Sequence, residues 1–129
     1  MTVALLLHRA DGAPLSTAFR RAPFGNDDPF ARHREIAWEG PGAMSAGRTS
    51  FIGELEIASY PHIETIVVVE GELTLTAAGA APLVVGPQAG AVIGCGTSLH
   101  VQAGSRVRFV GLSQAAAQNT KRTRDPAWT

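Results

Sequence analysis

The sequence contains a single cysteine, Cys95, and it carries no net charge because its 11 basic side chains equal its 11 acidic ones. One cysteine excludes an internal disulfide and is compatible with a reducing compartment. The lack of net positive charge excludes the electrostatic footprint of a nucleic-acid-binding protein, so we expect no nucleic-acid partner. The chain of 129 residues, 45% of them hydrophobic, is long enough for one domain with its own core.

Long hydrophobic runs are lacking as well. The longest apolar run near the N-terminus covers residues 3–7 and ends at His8. The core of a secretory signal needs about 7–15 apolar residues, and a membrane-spanning helix needs about 20. We therefore predict a short strand over residues 3–7, a cytoplasmic location and no membrane partner.

The chain also lacks long segments with apolar residues at helical intervals, because 14 glycines and 8 prolines are spread along nearly its whole length. Short strand-like segments stand in their place, with polar and apolar residues alternating over residues 51–57 and 72–76. Residues 65–69 are β-branched throughout, which predicts a strand covered on both faces. Further strand candidates lie at residues 34–38, 82–85, 91–93, 99–101 and 107–112, with a turn at 103–105. This succession predicts an all-β sandwich or barrel.

Two short motifs suggest chemistry that the surrounding sequence does not support. Residues 42–49 nearly fit a phosphate-binding loop, but Arg48 stands at the lysine position and a strand-like segment follows where a helix is required. We therefore exclude nucleotide binding there. Cys95 and His100 are the residue types of a nucleophile and its base, yet nothing orients them, and we interpret Cys95 as a small buried side chain.

The most informative segment is residues 58–73, which read Ala-Ser-Tyr-Pro-His-Ile-Glu-Thr-Ile-Val-Val-Val-Glu-Gly-Glu-Leu. It resembles the first motif of the cupin superfamily: two histidines one residue apart, a glutamate, six residues and a glycine. Glu64, the six residues after it and Gly71 match the second half of that motif. Residues 86–100 are similar to the second motif, with Gly96 at the glycine of its Pro-x-Gly and Gly94 in place of the proline.

The resemblance covers about residues 51–112 and is closest to the small branch that includes ureidoglycine aminohydrolase-like and ethanolamine-utilisation cupins. It implies an all-β double-stranded β-helix, the cupin jelly roll. We place this barrel at residues 34–113, with residues 1–33 as an N-terminal extension packing on the barrel or on a partner. Residues 114–129 would form a loosely ordered tail. The resemblance also implies a homodimer.

The departures from the cupin motifs concern the metal. In the family, three histidines and the glutamate hold a metal ion, but Ala58, Tyr60 and Leu99 stand at the three histidine positions of this chain. Glu64 alone is kept, so we expect no metal cofactor. Without a metal, a carboxylate on an interior face must be paired, protonated or hydrated.

Two functions from different classes remain open. The first is a barrel that binds a small polar metabolite without a metal, through Tyr60, His62, Glu64 and His100. The alternative is a metal-dependent cupin enzyme of the aminohydrolase, isomerase or dioxygenase type, with a site rebuilt from His62, Glu64 and His100. His62 and Glu64 share parity and would face the same side of an extended strand. In a third interpretation, the polar residues at the mouth of the barrel bind no ligand. The protein then acts as a structural or regulatory partner through its dimer surface. The sequence assigns no catalytic residue.

Overall fold

A computed structural model describes residues 4–21 and 28–115 of the chain. Within these residues the structure is almost entirely β, as the sequence predicts, with a single short 3-10 helix at Ala31–His33. No helix in the described part of the chain is long and apolar enough to cross a membrane. The eight strands found there are β1 (Arg20–Arg21), β2 (Arg34–Gly40), β3 (Met44–Ile57), β4 (His62–Glu70), β5 (Leu73–Ala77), β6 (Leu83–Val85), β7 (Gly90–Ile93) and β8 (Leu99–Ala115).

The strands form one antiparallel sheet around a shared core, and β8 is its central element. The order is β1-β2-β3-β8-β4-β7, while β5 pairs with β8 and with β6. The C-terminal half of β8 pairs with β4 and its N-terminal half with β5, whereas β3 runs beside it along nearly its whole length. The core includes Phe51, Leu73, Val101 and Phe109, all at most 2% exposed.

The predicted turn at residues 103–105 is wrong, because β8 continues through it as one strand. The pairing between β3 and β8 shifts register between Phe51 and Gly53, whose partners are Val107 and Ala103. The extra residues of β8 are accommodated in that irregularity, and Gly53 adopts a φ of 118° there. The small residues at this point allow a bulge in a long strand instead of a reversal of the chain.

Strand β4 alternates between the core and the outside. Ile66 and Val68 are buried, whereas Val67 is 41% exposed and Thr65 also points outward. Within one chain, residues 65–69 are therefore covered by the core on one face only, whereas the sequence predicts cover on both. The strand belongs to a curved sheet that has the core on one side only, so the side chains at odd-numbered positions such as 65 and 67 face away from the core.

The glycine-rich segment at residues 42–49 is a turn followed by the first part of β3. Gly42 has a positive φ of 71°, which glycine adopts without steric penalty. At Gly47 a Cβ atom would overlap the carbonyl oxygen of Glu35 in β2, so this glycine permits the close approach of two strands. The segment resembles a phosphate loop because of these backbone requirements, and no helix follows it.

The N-terminal region differs from its prediction at the strand expected over residues 3–7. Residues 4–7 form no strand, and residue 3 lies outside the described residues. Phe30, from the predicted extension, is 1% exposed and packs edge-on against Phe51 and Phe109, with ring centroids 5.4 and 5.5 Å away. Part of the extension therefore contributes to the barrel core. Of the predicted tail, residues 114 and 115 complete β8 and residues 116–129 lie outside the described residues.

Candidate functional site: a buried arginine–glutamate cluster beside a cleft

A buried ion pair joins the first residue of β2 to the third residue of β4. Arg34 donates to Glu64 through both ends of its guanidinium, with Nη1 2.6 Å from Oε2 and Nη2 3.1 Å from Oε1. The two side chains are 5% and 1% exposed. Arg34 is brought inside because it shares parity with the core residue Ile36 on an alternating strand. This paired geometry is the strongest form of an arginine–carboxylate contact.

The remaining nitrogen–hydrogen groups of Arg34 point at other protein oxygens. Nε lies 2.9 Å from Oδ2 of Asp28, and Nη2 lies 3.3 Å from its Oδ1. Nη1 also donates to the hydroxyl of Ser113 at 3.2 Å, and the guanidinium carbon lies 5.5 Å from the centre of the Phe30 ring. A guanidinium has five donor hydrogens. Nη1 and Nη2 together donate four hydrogen bonds to this chain, and Nε makes an ion-pair contact with Asp28.

Glu64 receives two more contacts from its own strand and the turn before it. The Tyr60 hydroxyl donates to Oε1, and Nε2 of His62 lies 3.2 Å from the same oxygen. The rings of Tyr60 and His62 meet edge-on with centroids 4.9 Å apart. Tyr60 is fully buried and His62 is 5% exposed, so the carboxylate is enclosed by polar partners and apolar walls.

The charges of the cluster determine its protonation. Burial alone would raise the pKa of Glu64, but the positive charge of Arg34 and the hydrogen bonds from His62, Arg34 and Tyr60 lower it to about 2. Burial would lower the pKa of Arg34, yet Glu64 and Asp28 raise it above its ordinary value. Burial and the Glu64 carboxylate raise the pKa of Tyr60, which keeps its phenol protonated as a donor.

Three of the four predicted site residues, Tyr60, His62 and Glu64, come together, but His100 does not join them. Leu99 and Val101 are buried, so His100 between them faces the outside of the sheet. There its Nδ1 contacts Glu56, and its Nε2 lies 3.1 Å from Glu54.

The alternative site of His62, Glu64 and His100 is therefore not assembled, because no bulge in β8 turns His100 inward. Within residues 4–21 and 28–115 no group of three or more histidine, cysteine, aspartate or glutamate side chains is arranged to hold a metal ion. Cys95 is exposed, so its interpretation as a buried side chain is wrong.

Three members of the cluster, Arg34, Asp28 and Ser113, are not among the site residues predicted from the sequence. The sequence contained one signal for Arg34. It lies two positions before Ile36 in an alternating strand, so both side chains face the interior, where Glu64 needed a cation. Nothing comparable marked Asp28, which lies in an irregular segment. Ser113 is separated from Arg34 by 79 positions, so only the three-dimensional fold reveals their contact.

Next to the cluster lies a cleft of about 840 Å³. One wall is formed by the N-terminal segment around Leu7 and Leu15, and the other by residues of β2, β3, β4 and β8. Arg34 lines this cleft, whereas Tyr60, His62 and Glu64 do not. The predicted ligand residues therefore lie behind Arg34 rather than at the surface of the open space.

Comparison with solved structures identifies the fold. The structure is similar to a protein of unknown function of the DUF861 family from Pseudomonas syringae pv. tomato str. DC3000, with a TM-score of 0.82 and 32% identity over 88% of this chain and 48% of that one. It also resembles a cupin-2 domain protein from Shewanella frigidimarina NCIMB 400, with a TM-score of 0.52 and 16% identity over 64% of this chain and 79% of that one. The chain has the fold of the cupin superfamily. Its all-β jelly-roll fold confirms the expectation from the motifs.

Ectoine synthase from P. lautus is a further similar structure, with a TM-score of 0.55 and 19% identity over 70% of each chain, a likeness that concerns the fold alone. The chain spans about half the length of the Pseudomonas syringae protein. No family model matches the sequence, and no curated protein sequence matches it significantly.

The residues at the cupin metal positions do not fit a metal ion in this chain. Of the three that replace the histidines, Ala58 is exposed, Leu99 is buried in the apolar core and Tyr60 donates its hydroxyl to Glu64. None supplies a nitrogen ligand, and both carboxylate oxygens of Glu64 already contact Arg34. The guanidinium of Arg34 provides the positive charge beside this carboxylate.

Proposed function

We propose that this cupin binds a small polar metabolite without a metal ion, in the cleft beside the Arg34–Glu64 cluster. The observation that carries the proposal is the double contact of Arg34 with Glu64, since it pairs the retained glutamate with a cation of the chain itself. The space available to a ligand then lies on the other side of Arg34, in a cleft of about 840 Å³. Binding pockets for small molecules have about 300–1,000 Å³.

The cluster would act as the rigid floor of this cleft. Asp28, Glu64 and Ser113 hold the guanidinium of Arg34 from three sides, and Tyr60 and His62 hold Glu64. A binding surface whose side chains are fixed in advance loses less conformational entropy when a ligand arrives. In this proposal Tyr60, His62 and Glu64 position the floor and do not touch the metabolite.

Metal analysis and a binding screen test the proposal together. Protein purified without chelator should contain no stoichiometric manganese, iron, nickel or zinc. A thermal-shift screen of small polar metabolites should give the same hits before and after treatment with EDTA. About one metal ion per chain, lost in Glu64→Ala, would overturn the proposal in favour of a metal-dependent enzyme. A screen without any hit would favour a structural role.

A further inference from the structure

The walls of the cleft are dominated by arginine. Among the described residues, seven arginines line it, whereas its carboxylates are those of Glu35 and Glu70. The arginines are Arg9, Arg21, Arg32, Arg34, Arg48, Arg106 and Arg108. In a chain with no net charge, this concentration gives the lining of one cleft more basic than acidic side chains.

Four of these arginines have carboxylate partners. Arg48 lies 2.9 Å from Glu35, Arg108 lies 2.8 Å from Glu70, and Arg9 lies 3.4 Å from Asp11. Arg34 is held by Asp28 and Glu64 as described above. The charges of Arg9, Arg48 and Arg108 are each matched by one carboxylate, and the charge of Arg34 by two.

The other three arginines are not neutralised by any carboxylate in the described part of the chain. Arg21 belongs to β1, Arg32 to the 3-10 helix and Arg106 to β8, and all three are exposed. Arg106 donates to the uncharged hydroxyl of Ser50 at 3.1 Å. Three separate elements therefore each contribute to the lining of one cleft an arginine without a carboxylate partner in the described part of the chain.

His33 also lines the cleft and lies close enough to two of these arginines to respond to their charges. Its pKa lies below the ordinary value, first because the ring is partly buried and then because the charges of Arg106 and Arg32 oppose its protonation. The ring packs edge-on against Phe51 with centroids 5.3 Å apart, which fixes it at the wall of the cleft. A bound anion would offset those charges and raise the pKa of His33.

From these observations, and resting on the proposed function, we infer that the metabolite is a small organic dianion, held by Arg21, Arg32 and Arg106. The planar fork of arginine binds phosphate and carboxylate oxygens through paired hydrogen bonds. A phosphate monoester and a dicarboxylate share this chemistry. A cleft of this size suits a small molecule, and the zero net charge of the chain does not favour a polymeric anion.

Titration calorimetry of the full chain with pyrophosphate, inorganic phosphate and succinate, at constant ionic strength, tests the inference. We expect saturable binding, and a loss of about tenfold or more in affinity in both Arg32→Gln and Arg106→Gln, because each removes a charge-assisted hydrogen bond. Arg20→Gln is the matched control, since Arg20 is exposed, pairs with Glu39 and lies outside the cleft. NMR titration of His33 should show a higher pKa at saturation with pyrophosphate.

The outcomes separate this inference from the proposed function. Tighter binding of inorganic phosphate than of succinate assigns a phosphate ester, and the reverse order assigns a dicarboxylate. Anion binding that Arg20→Gln weakens as much as Arg32→Gln, or that leaves the pKa of His33 unchanged, overturns the inference. If neutral metabolites bind and the anions do not, the inference fails while metal-free binding stands. If binding requires an added metal, both fail.

Discussion

Arg34 and Glu64 meet inside the barrel through two hydrogen bonds, although they lie 30 positions apart in the sequence and on strands that are not neighbours in the sheet. The glutamate is the residue that the cupin motif retains, and the arginine comes from outside that motif. The pair therefore links β2 to β4 across the interior. Its energetic importance can be measured directly.

The losses of stability caused by removing Arg34 and by removing Glu64 should not be additive. Arg34→Met leaves the buried carboxylates of Glu64 and Asp28 without their cation, and we expect a loss of about 3–5 kcal/mol in the free energy of unfolding. Glu64→Gln should also destabilise the protein. The double variant Arg34→Met/Glu64→Gln should lose clearly less than the sum of the two, as measured by urea denaturation. Additive losses would show that the two side chains are not coupled.

Stability should depend on pH through Glu64. Its pKa is lowered from an ordinary 4.5 to about 2, so the unfolded chain binds a proton in this range before the folded one does. The stabilisation is therefore complete above about pH 4.5 and is lost as the pH falls toward 2. The full effect is about 3 kcal/mol.

Urea denaturation of the wild type and of Glu64→Gln across this pH range measures the difference. The variant should lack this part of the acid destabilisation, whereas Glu56→Gln, on the outer face beside His100, should keep it. An equal acid slope in all three proteins would contradict the lowered pKa of Glu64.

The Tyr60 hydroxyl should stabilise the ionised form of Glu64. Tyr60→Phe keeps the buried ring and removes the donor, so we expect a loss of about 1–3 kcal/mol and an acid unfolding midpoint at higher pH. His100→Gln breaks an exposed contact with two glutamates and should change stability by less than about 1 kcal/mol. Thermal and acid denaturation compare the two, and a larger effect at His100 would reverse the assignment of the cluster.

The homodimer that the cupin resemblance implies would have a suitable surface on the outer face of β7, β4 and β8. Val92, Thr65 and Leu112 lie in one row across these strands, with Val92 68% and Leu112 42% exposed, and Ile63 and Val67 flank the row. We expect the wild type to be a dimer in light scattering and Val92→Glu/Leu112→Glu to be a monomer with an unchanged circular dichroism spectrum. Leu83→Glu on β6 is the control. A dimer that survives the double substitution would place the interface elsewhere.

Much of the fold is visible in the sequence because strand alternation and backbone demands are local. The alternation of Leu73 and Leu75 with threonines marks β5, and both leucines are buried. Gly71 of the cupin motif has a φ of 82°, and a Cβ there would meet the Arg106 carbonyl, so a local steric requirement explains this residue. The wrong prediction of a turn at residues 103–105 also has a physical reason. Small residues are typical both of turns and of bulges, so residue type alone does not distinguish the bulge opposite Gly53 from a turn.

The site was less predictable because its central contacts are long-range. Parity indicates that Glu64 faces the interior, but it cannot identify which cation from another strand will meet it there. The position of His100 follows from the alternation of side chains along a strand. Leu99 matches the motif position of the third histidine and points inward, so the next residue had to point outward.

The position of β8 within the chain has a consequence for folding. It is the last described strand, and it pairs with three others: β3, β4 and β5. During synthesis these earlier strands emerge without their common neighbour, so their edges stay open until residues 99–115 have left the ribosome. Closure then depends on contacts between distant parts of the chain, which predicts slow folding and a nascent chain that is vulnerable to aggregation up to that moment.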